Sequence, residues 1–398
     1  MTKRAKVIVV GAGPVGSTAA YRLAQNGIDV ILLEAHPNCP EDLRASTFHP
    51  PSLEMLSEFG IVDDLREIGL EAPVYQYRNR QSGEVFSFDL SELSDMTDYP
   101  YRLQCEQYKL ARLLTSKLAD HPHAEVLFSR RLLTVEQDDK GVTVQVESPM
   151  EIETYKADFV IACDGANSTT RKWLGTGFEG FTYPEKFVTF STKVPLEKHF
   201  DDLAYVNYVA DPNEWMVLLR VPSVWRVLVP AHEGLDDFIV SDEKKSQVFQ
   251  HLIGDPDVKT EHRTIYRVHQ RVADSYFENR VILAGDSAHL NNPLGGFGMN
   301  SGIHDVWTLT ENLIPVLKDG GDHIEPLKQY ERKRQGVMRA FVQAQTIKNK
   351  QTLESGDADA QKKHQENLTA ILADDERRRD YLKGQAMFNS LELQASID

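Results

Sequence analysis

The chain is poor in cysteine: of its 398 residues only Cys39, Cys105 and Cys163 are cysteines, far apart and in no C-x-x-C pair. That argues against a disulfide framework or a zinc knuckle, points to no metal site, and makes a reducing cytoplasm the simplest setting. Long apolar runs are also missing. Nothing approaches the ~18 residues of a membrane span, and Met1-Thr2-Lys3-Arg4-Ala5-Lys6 leads into too short an apolar stretch before Gly11 for a signal peptide. Neither a leader nor a membrane location is expected. Basic residues are in deficit, 44 Lys+Arg against 60 Asp+Glu for a formal charge of −16, so a nucleic acid backbone is repelled and is not an expected partner. No internal repeat and no low-complexity tract interrupts a globular composition, 41% hydrophobic and 26% charged, with length enough for two cores. A monomer or homodimer is expected.

What is present begins with Val7 to Val10, an apolar run that stops at Gly11-Ala12-Gly13-Pro14-Val15-Gly16 and resumes as an Ala/Leu pattern to Ala24. This predicts strand, glycine turn and helix, followed by a second strand, Val30 to Leu33, that ends on Glu34. Glycines in such a turn let the backbone approach a pyrophosphate that sits on a helix N-terminus. A carboxylate at the end of the next strand can accept hydrogen bonds from an adenosine ribose. Gly11, Gly13, Pro14, Val15, Gly16, Glu34 and the adjoining Ala35 are therefore candidate contacts of an adenine dinucleotide, with FAD and NAD still undistinguished.

Further on, residues 51–70 predict a short helix closed by Gly60, and residues 106–118 a helix with Leu110, Leu113, Leu114 and Leu118 on one face. From 124 to 163 the pattern is a hairpin turning at Asp138-Asp139-Lys140-Gly141 that feeds a buried strand, Phe159 to Cys163. Between about 180 and 270 the aromatic runs Phe187–Val194, Leu203–Val209, Trp215–Val221 and Trp225–Pro230 predict a separate antiparallel sheet with few helices. After Gly298 the chain reads as helical; Asp374 to Arg379 reads as a solvated helix face, and Glu354 to Asp359 as a polar, mobile link.

Two segments distinguish the dinucleotides. Asp158 to Ser168, with Arg171 after it, is a buried strand ending in an Asp-Gly turn at Asp164-Gly165. Arg280 to His289 is another, ending in Gly285-Asp286 and followed by Pro293-Leu294-Gly295-Gly296-Phe297-Gly298-Met299-Asn300. Together with the first glycine motif, this set resembles the group A flavin-dependent aromatic hydroxylases, which share the fold of p-hydroxybenzoate hydroxylase. The layout fits over most of the chain, and the motifs are specific near residues 7–60, 104–118, 158–171 and 278–313.

The resemblance implies an α/β architecture: a Rossmann-like FAD-binding domain of the p-hydroxybenzoate hydroxylase type, a second, mostly antiparallel β-sheet substrate domain, and C-terminal helices. The boundaries expected are 1–75, 102–178 and 272–330 for the FAD-binding domain, 76–101 and 179–271 for the substrate domain, and 331–398 for the helical region. By the same resemblance Glu34 is the ribose ligand, Arg44 lies near the pyrophosphate, and Gln107 is a flavin contact. Asp164 serves both FAD and the passing nicotinamide, and Asp286 the ribityl and pyrophosphate portion. Pro293, Gly296, Gly298, Met299 and Asn300 form the flavin loop, where glycines admit a flat ring and a helix N-terminus faces its pyrimidine.

The implied reaction is hydroxylation of an electron-rich aromatic compound, phenolic or a hydroxylated N-heteroaromatic, with or without a carboxyl group. It uses FAD, NADH or NADPH as transient reductant, and O₂ as co-substrate, through a flavin C4a-hydroperoxide. Candidate substrate contacts are Thr47, Tyr205, Tyr208, Arg220 and Pro293, and His49 is a candidate catalytic base; on a regular strand Tyr205 and Tyr208 point to opposite faces, so only one can reach the substrate. His289 reads as a structural hydrogen-bonder. A flavin halogenase is disfavoured because no two of Trp173, Trp215, Trp225 and Trp307 lie two apart. Two alternatives stay open: a flavin-dependent reductase of a ring or isoprenoid double bond, and a non-catalytic, redox-responsive flavoprotein.

Overall fold

Val7 to Val10 are buried on both faces, as a central parallel strand requires, in the computed structural model, which describes residues 3–41, 43, 45–211, 214–231, 236–354 and 358–398. Val7 and Val9 pack under the helices, whereas Ile8 and Val10 face the core closed by the hairpin 131–147. Among the described residues the first sheet has eight strands. Its parallel part runs in the order Val281–Leu283, Ile152–Ala162, Lys3–Val10, Val30–Leu33, Ala124–Leu127. The helix Pro14–Gln25 crosses between the first two strands in sequence. Proline occupies its first turn, where a missing N–H costs nothing.

The second sheet, also eight-stranded among the described residues, runs His289–Leu290, His262–Ala273, Phe178–Thr192, Trp225–Ala231, Met216–Arg220, Val206–Ala210, Val74–Asn79, Val85–Asp89. Its pairings are antiparallel except Val206–Ala210 with Val74–Asn79. One face closes over the helix Asp242–Ile253, burying Met216, Leu218, Trp225, Val227 and Val229. The other face, with Val217 and Leu228, turns toward the first sheet and the C-terminal helices.

Two elements differ from expectation. A second helix, Val62–Glu67, follows Pro50–Ser57 and the glycine turn at Gly60. The helix Asp242–Ile253 interrupts a region whose pattern predicts strands, although it carries ordinary helix punctuation. The Ser241 hydroxyl accepts from the Lys244 N–H, Asp242 and Glu243 occupy the first turn, and Gly254 closes it at φ +76°. Of the polar stretch from Glu354 to Asp359, residues 355–357 lie outside the described residues, between the helices Ala344–Glu354 and Ala358–Leu372.

The long helix Phe297–Asp319 lies beneath the first sheet and is followed by helices to Ser396. Their charged face is partly spent on latches: Arg378 pairs with Glu92 at 2.8 Å and Arg379 with Asp95 at 2.6 Å. No helix among the described residues is long and apolar enough to cross a membrane.

Candidate active site

A cavity of about 550 Å³ runs from the first glycine turn to the inner face of the second sheet. At its outer end lie Gly11, Gly13, Pro14 and Val15, with Glu34 and Ala35 opposite. The buried Glu34 carboxylate accepts from the Ala12 N–H at 2.8 Å and from the His36 N–H at 2.9 Å. A Cβ built on Gly13 would meet nothing within 4 Å, so the backbone there is open to the cavity. Gly16 is different: its Cβ would stand 1.9 Å from the Gly11 carbonyl oxygen, and Gly16 does not line the cavity. Its role is to let helix and strand approach.

The middle of the cavity is walled by Gln107, Asp164 and Asp286 on one side and by Thr47, Pro293, Gly296, Gly298 and Met299 on the other. Asp164 accepts from the Thr170 N–H and hydroxyl through Oδ2, while its buried Oδ1 finds no partner among the described residues. The Gly285–Asp286 turn is held from below. Asp305, fully buried, accepts from the Gly285 N–H at 2.9 Å, from His289 Nε2 at 2.6 Å and from Arg334 Nε at 2.6 Å. These partners hold its carboxyl well below the usual range although burial opposes them.

An unpartnered acceptor on Asp164, an open backbone at Gly13 above a helix N-terminus, and a carboxylate two strands away fit an adenine dinucleotide that brings hydroxyls to the acids and phosphates to the turn. A family model described as "FAD binding domain" matches residues 4–345. The chain belongs to the group A flavin-dependent aromatic hydroxylases. It is 34% identical over 341 residues to para-nitrophenol 4-monooxygenase of Pseudomonas sp. strain WBC-3, covering 84% of each chain. It is 34% identical over 328 residues to 6-hydroxy-3-succinoylpyridine 3-monooxygenase of Pseudomonas putida strain S16, covering 80% of this chain and 82% of that one. The crystal structure of p-nitrophenol 4-monooxygenase from Pseudomonas putida DLL-E4 superposes with a TM-score of 0.92 at 30% identity, covering 98% and 99% of the two chains. This hydroxylase is therefore an FAD-dependent aromatic monooxygenase, using O₂ and a reduced nicotinamide or flavin as reductant.

The inner end of the cavity is apolar on several sides, with Val217, Leu219, Leu228, Val268 and Leu294, and carries polar groups on Tyr208, Tyr266, Thr189 and Arg226. Strand parity decides which side chains reach it. Tyr208 faces inward, whereas Tyr205 precedes the strand and is 41% exposed. Arg220 shares the face of Met216 and Leu218, away from the cavity, and donates to the Val221 carbonyl. The residue that sequence reasoning misses is its neighbour across the hairpin. Arg226, 4% exposed, faces inward opposite Leu219 and donates to Ser46 Oγ at 3.2 Å.

His49 does not line the cavity. It is fully buried behind the loop 293–299, and its Nε2 lies 2.8 Å from the Gly295 carbonyl. Burial first, then the Arg102 charge, push its pKa far down, so it is neutral and must donate through Nε2–H to that carbonyl. The remaining basic nitrogen, Nδ1, is enclosed and cannot take a proton from a substrate. His49 is thus a loop anchor rather than a base. Asn300 anchors the same loop, accepting from the His49 N–H and donating to the Thr47 and Gly296 carbonyls. Thr47 lines the cavity but spends its hydroxyl on Gln104 at 3.0 Å. Arg44 lies outside the described residues.

Proposed function

We propose that this hydroxylase acts on a single-ring phenol or hydroxypyridine that carries, or can acquire, a negative charge. The observation that carries this reading is Arg226, a buried guanidinium in a cavity end otherwise walled largely by apolar side chains. A buried cation in such a wall favours an anionic ligand group over water and over neutral rings. The relatives named for 4-nitrophenol and for a hydroxylated pyridine are consistent with that class.

FAD, held by Gly13, Glu34, Gln107, Asp164, Asp286 and the loop 293–299, supplies reduction by NADH or NADPH and activation of O₂ when bound. The chain's own side chains do the rest. Tyr208 offers its hydroxyl to the ring oxygen, Arg226 draws the anionic group, and Val217, Leu219, Leu228 and Leu294 exclude water. Arg131 and Arg267, exposed cations on the cavity lining, oppose the net charge of −16 and favour transient docking of an anionic dinucleotide. In this reading residues 1–75, 102–178 and 272–330 hold FAD, 76–101 and 179–271 cover the substrate, and 331–398 close the back. Cysteines without disulfides support a reducing, cytoplasmic setting.

The test is anaerobic bleaching of the bound flavin by NADH and NADPH, with and without phenols, hydroxybenzoates and hydroxypyridines. The reading expects one ring class to speed bleaching by orders of magnitude. Bleaching that is equally fast without any ring would favour a reductase of double bonds instead.

A further inference from the structure

Behind Tyr208 lies a second buried cation that the reaction described so far does not use. Arg102 is fully buried, and among the described residues no carboxylate stands within ion-pair distance of it. Its guanidinium carbon sits 4.4 Å over the ring of Tyr75. Nη2 donates to the Gln385 carbonyl at 3.2 Å, Nη1 reaches the Tyr208 hydroxyl oxygen at 3.5 Å, and Nε has no hydrogen-bond partner among the described residues. Tyr381, on the same C-terminal helix as Gln385, completes a cage of phenols around this charge. An aromatic face and neutral oxygens compensate a buried guanidinium only in part, since both lack a full negative charge. Tyr208, which Arg102 touches, also lines the cavity, so an anion bound there would face Arg102 across the Tyr208 hydroxyl.

We propose that Arg102 is a positioning residue that turns Tyr208 into a hydrogen-bond donor toward the substrate and biases the cavity to hold the phenol as its oxyanion. A hydroxyl has one hydrogen and two lone pairs. With one lone pair facing Arg102, the Tyr208 hydrogen is left for the cavity, and an adjacent cation makes it a stronger donor. The proton lost from the substrate's ring hydroxyl goes to bulk water or buffer, and no group of the chain need keep it. Arg226 projects from the same inner face of the second sheet, two strands from Tyr208, so a second guanidinium adds positive charge to the same end of the cavity. This inference rests on the phenol reading above and deepens it. It also gives the C-terminal helix Asp375–Gln385 a role beyond packing, because its Gln385 carbonyl orients Arg102.

The experiment uses FAD-loaded enzyme without nicotinamide, so no turnover occurs, and 4-nitrophenol as ligand at a pH below that phenol's own pKa. Its anion is coloured and its neutral form is not, so the spectrum of the bound ligand reports ionisation directly. Wild type is expected to bind mostly anion. Arg102→Met and Tyr208→Phe are expected to bind 4-nitrophenol about 10–100-fold more weakly and mostly as the neutral form, the loss of one charge-assisted bond. Affinity for 4-nitroanisole, which cannot ionise, is expected to change less than about threefold on the same grounds. Arg102→Lys should restore the anion signature. Should Arg102→Met not fold, Arg102→Gln, uncharged but polar, takes its place. If wild type binds the anion and the Arg102 variants bind it equally, or if both ligands weaken together, the role of Arg102 is overturned and the phenol reading stands. If the FAD-loaded wild type binds no ring compound of the class, the phenol reading and this inference fall together.

Discussion

Gly13→Ala and Gly16→Ala differ by one methyl group at two positions of the same turn, and the structure assigns them opposite failures. At Gly16 the added Cβ would stand 1.9 Å from the Gly11 carbonyl oxygen and 3.1 Å from Cys163 Cβ, both on or near rigid backbone of the central strands. Relief requires the helix to lift from the sheet by an ångström or more, and overpacking of that kind costs about 3 kcal/mol. At Gly13 the backbone sits at φ −69° and ψ −177°, which alanine adopts freely, and the added Cβ meets no protein atom within 4 Å. Losing glycine there costs a few tenths of a kcal/mol as an N-cap residue, offset by reduced freedom of the unfolded chain, so stability should hold within ~1 kcal/mol. The methyl group instead occupies the space through which the cofactor approaches the turn. A penalty of ~1–3 kcal/mol weakens FAD about 5–150-fold. The assays are thermal unfolding of the apoenzymes and quenching of FAD fluorescence on titration. A Gly13→Ala enzyme that binds FAD as tightly as wild type would falsify the placement of the pyrophosphate over that turn, and an unchanged Tm for apo-Gly16→Ala would refute the packing argument.

Arg226→Met should weaken binding of an ionisable phenol by about 10–100-fold, the worth of a buried charged hydrogen bond, while Arg220→Met, on the outer face, should leave it within about threefold; flavin absorbance titrations compare the two. Asp305→Asn strands Arg334 as a buried charge and loosens the Gly285–Asp286 turn, so it should cost ~3–5 kcal/mol and lower FAD occupancy; urea unfolding with and without FAD measures both. Acid should destabilise the fold before its carboxylates titrate. Burial, followed by the Arg334 charge, lowers His304 to about 3, so the unfolded chain binds its proton below about pH 6.5 and the folded chain does not. The stability this residue confers is fully present above pH 6.5 and is lost as pH falls toward 3, at up to ~1.4 kcal/mol per pH unit. Urea midpoints at pH 7, 6 and 5 should show that slope, and His304→Gln should reduce it by about one proton; equal slopes would contradict the neutral, buried state.

Most of the cofactor end is legible in the sequence because its chemistry is carried by backbone. A glycine turn, a carboxylate at a strand end and an Asp-Gly turn after a buried strand are local patterns, and the contacts they make follow from main-chain geometry that a few residues determine. Gly11, Gly13, Glu34, Ala35, Gln107, Asp164 and Asp286 all line the cavity. Asn300 and Gly16 look like ligands in sequence because their motifs are contiguous with ligands, yet each works one layer behind, on packing or on the loop. His49 misleads for the same reason: position beside the glycine loop 293–299 does not say which ring nitrogen faces the cavity, and burial leaves it neutral with its donor committed to Gly295.

The substrate end is illegible for a different reason, and the arginines show it. Alternation correctly places Met216, Leu218 and Arg220 on one face, but both faces of this sheet are buried, one under the helix Asp242–Ile253 and one over the cavity. When a strand is apolar on both sides, period two sorts residues into two sets without saying which set meets the ligand. The missing piece is the helix at 242–253, which the strand pattern around it obscures. Its Val248, Phe249 and Leu252 claim the face of Met216, Leu218, Trp225 and Val227, which leaves Val217, Leu219, Arg226 and Leu228 for the cavity. With the Ser241 cap and the Gly254 stop taken as helix punctuation, parity moves the arginine proposed for anion binding from 220 to 226 without coordinates. Arg102 lies beyond even that correction, because its neighbours Tyr75, Tyr208 and Gln385 come from distant parts of the chain, and only the folded arrangement shows a cation enclosed by phenols.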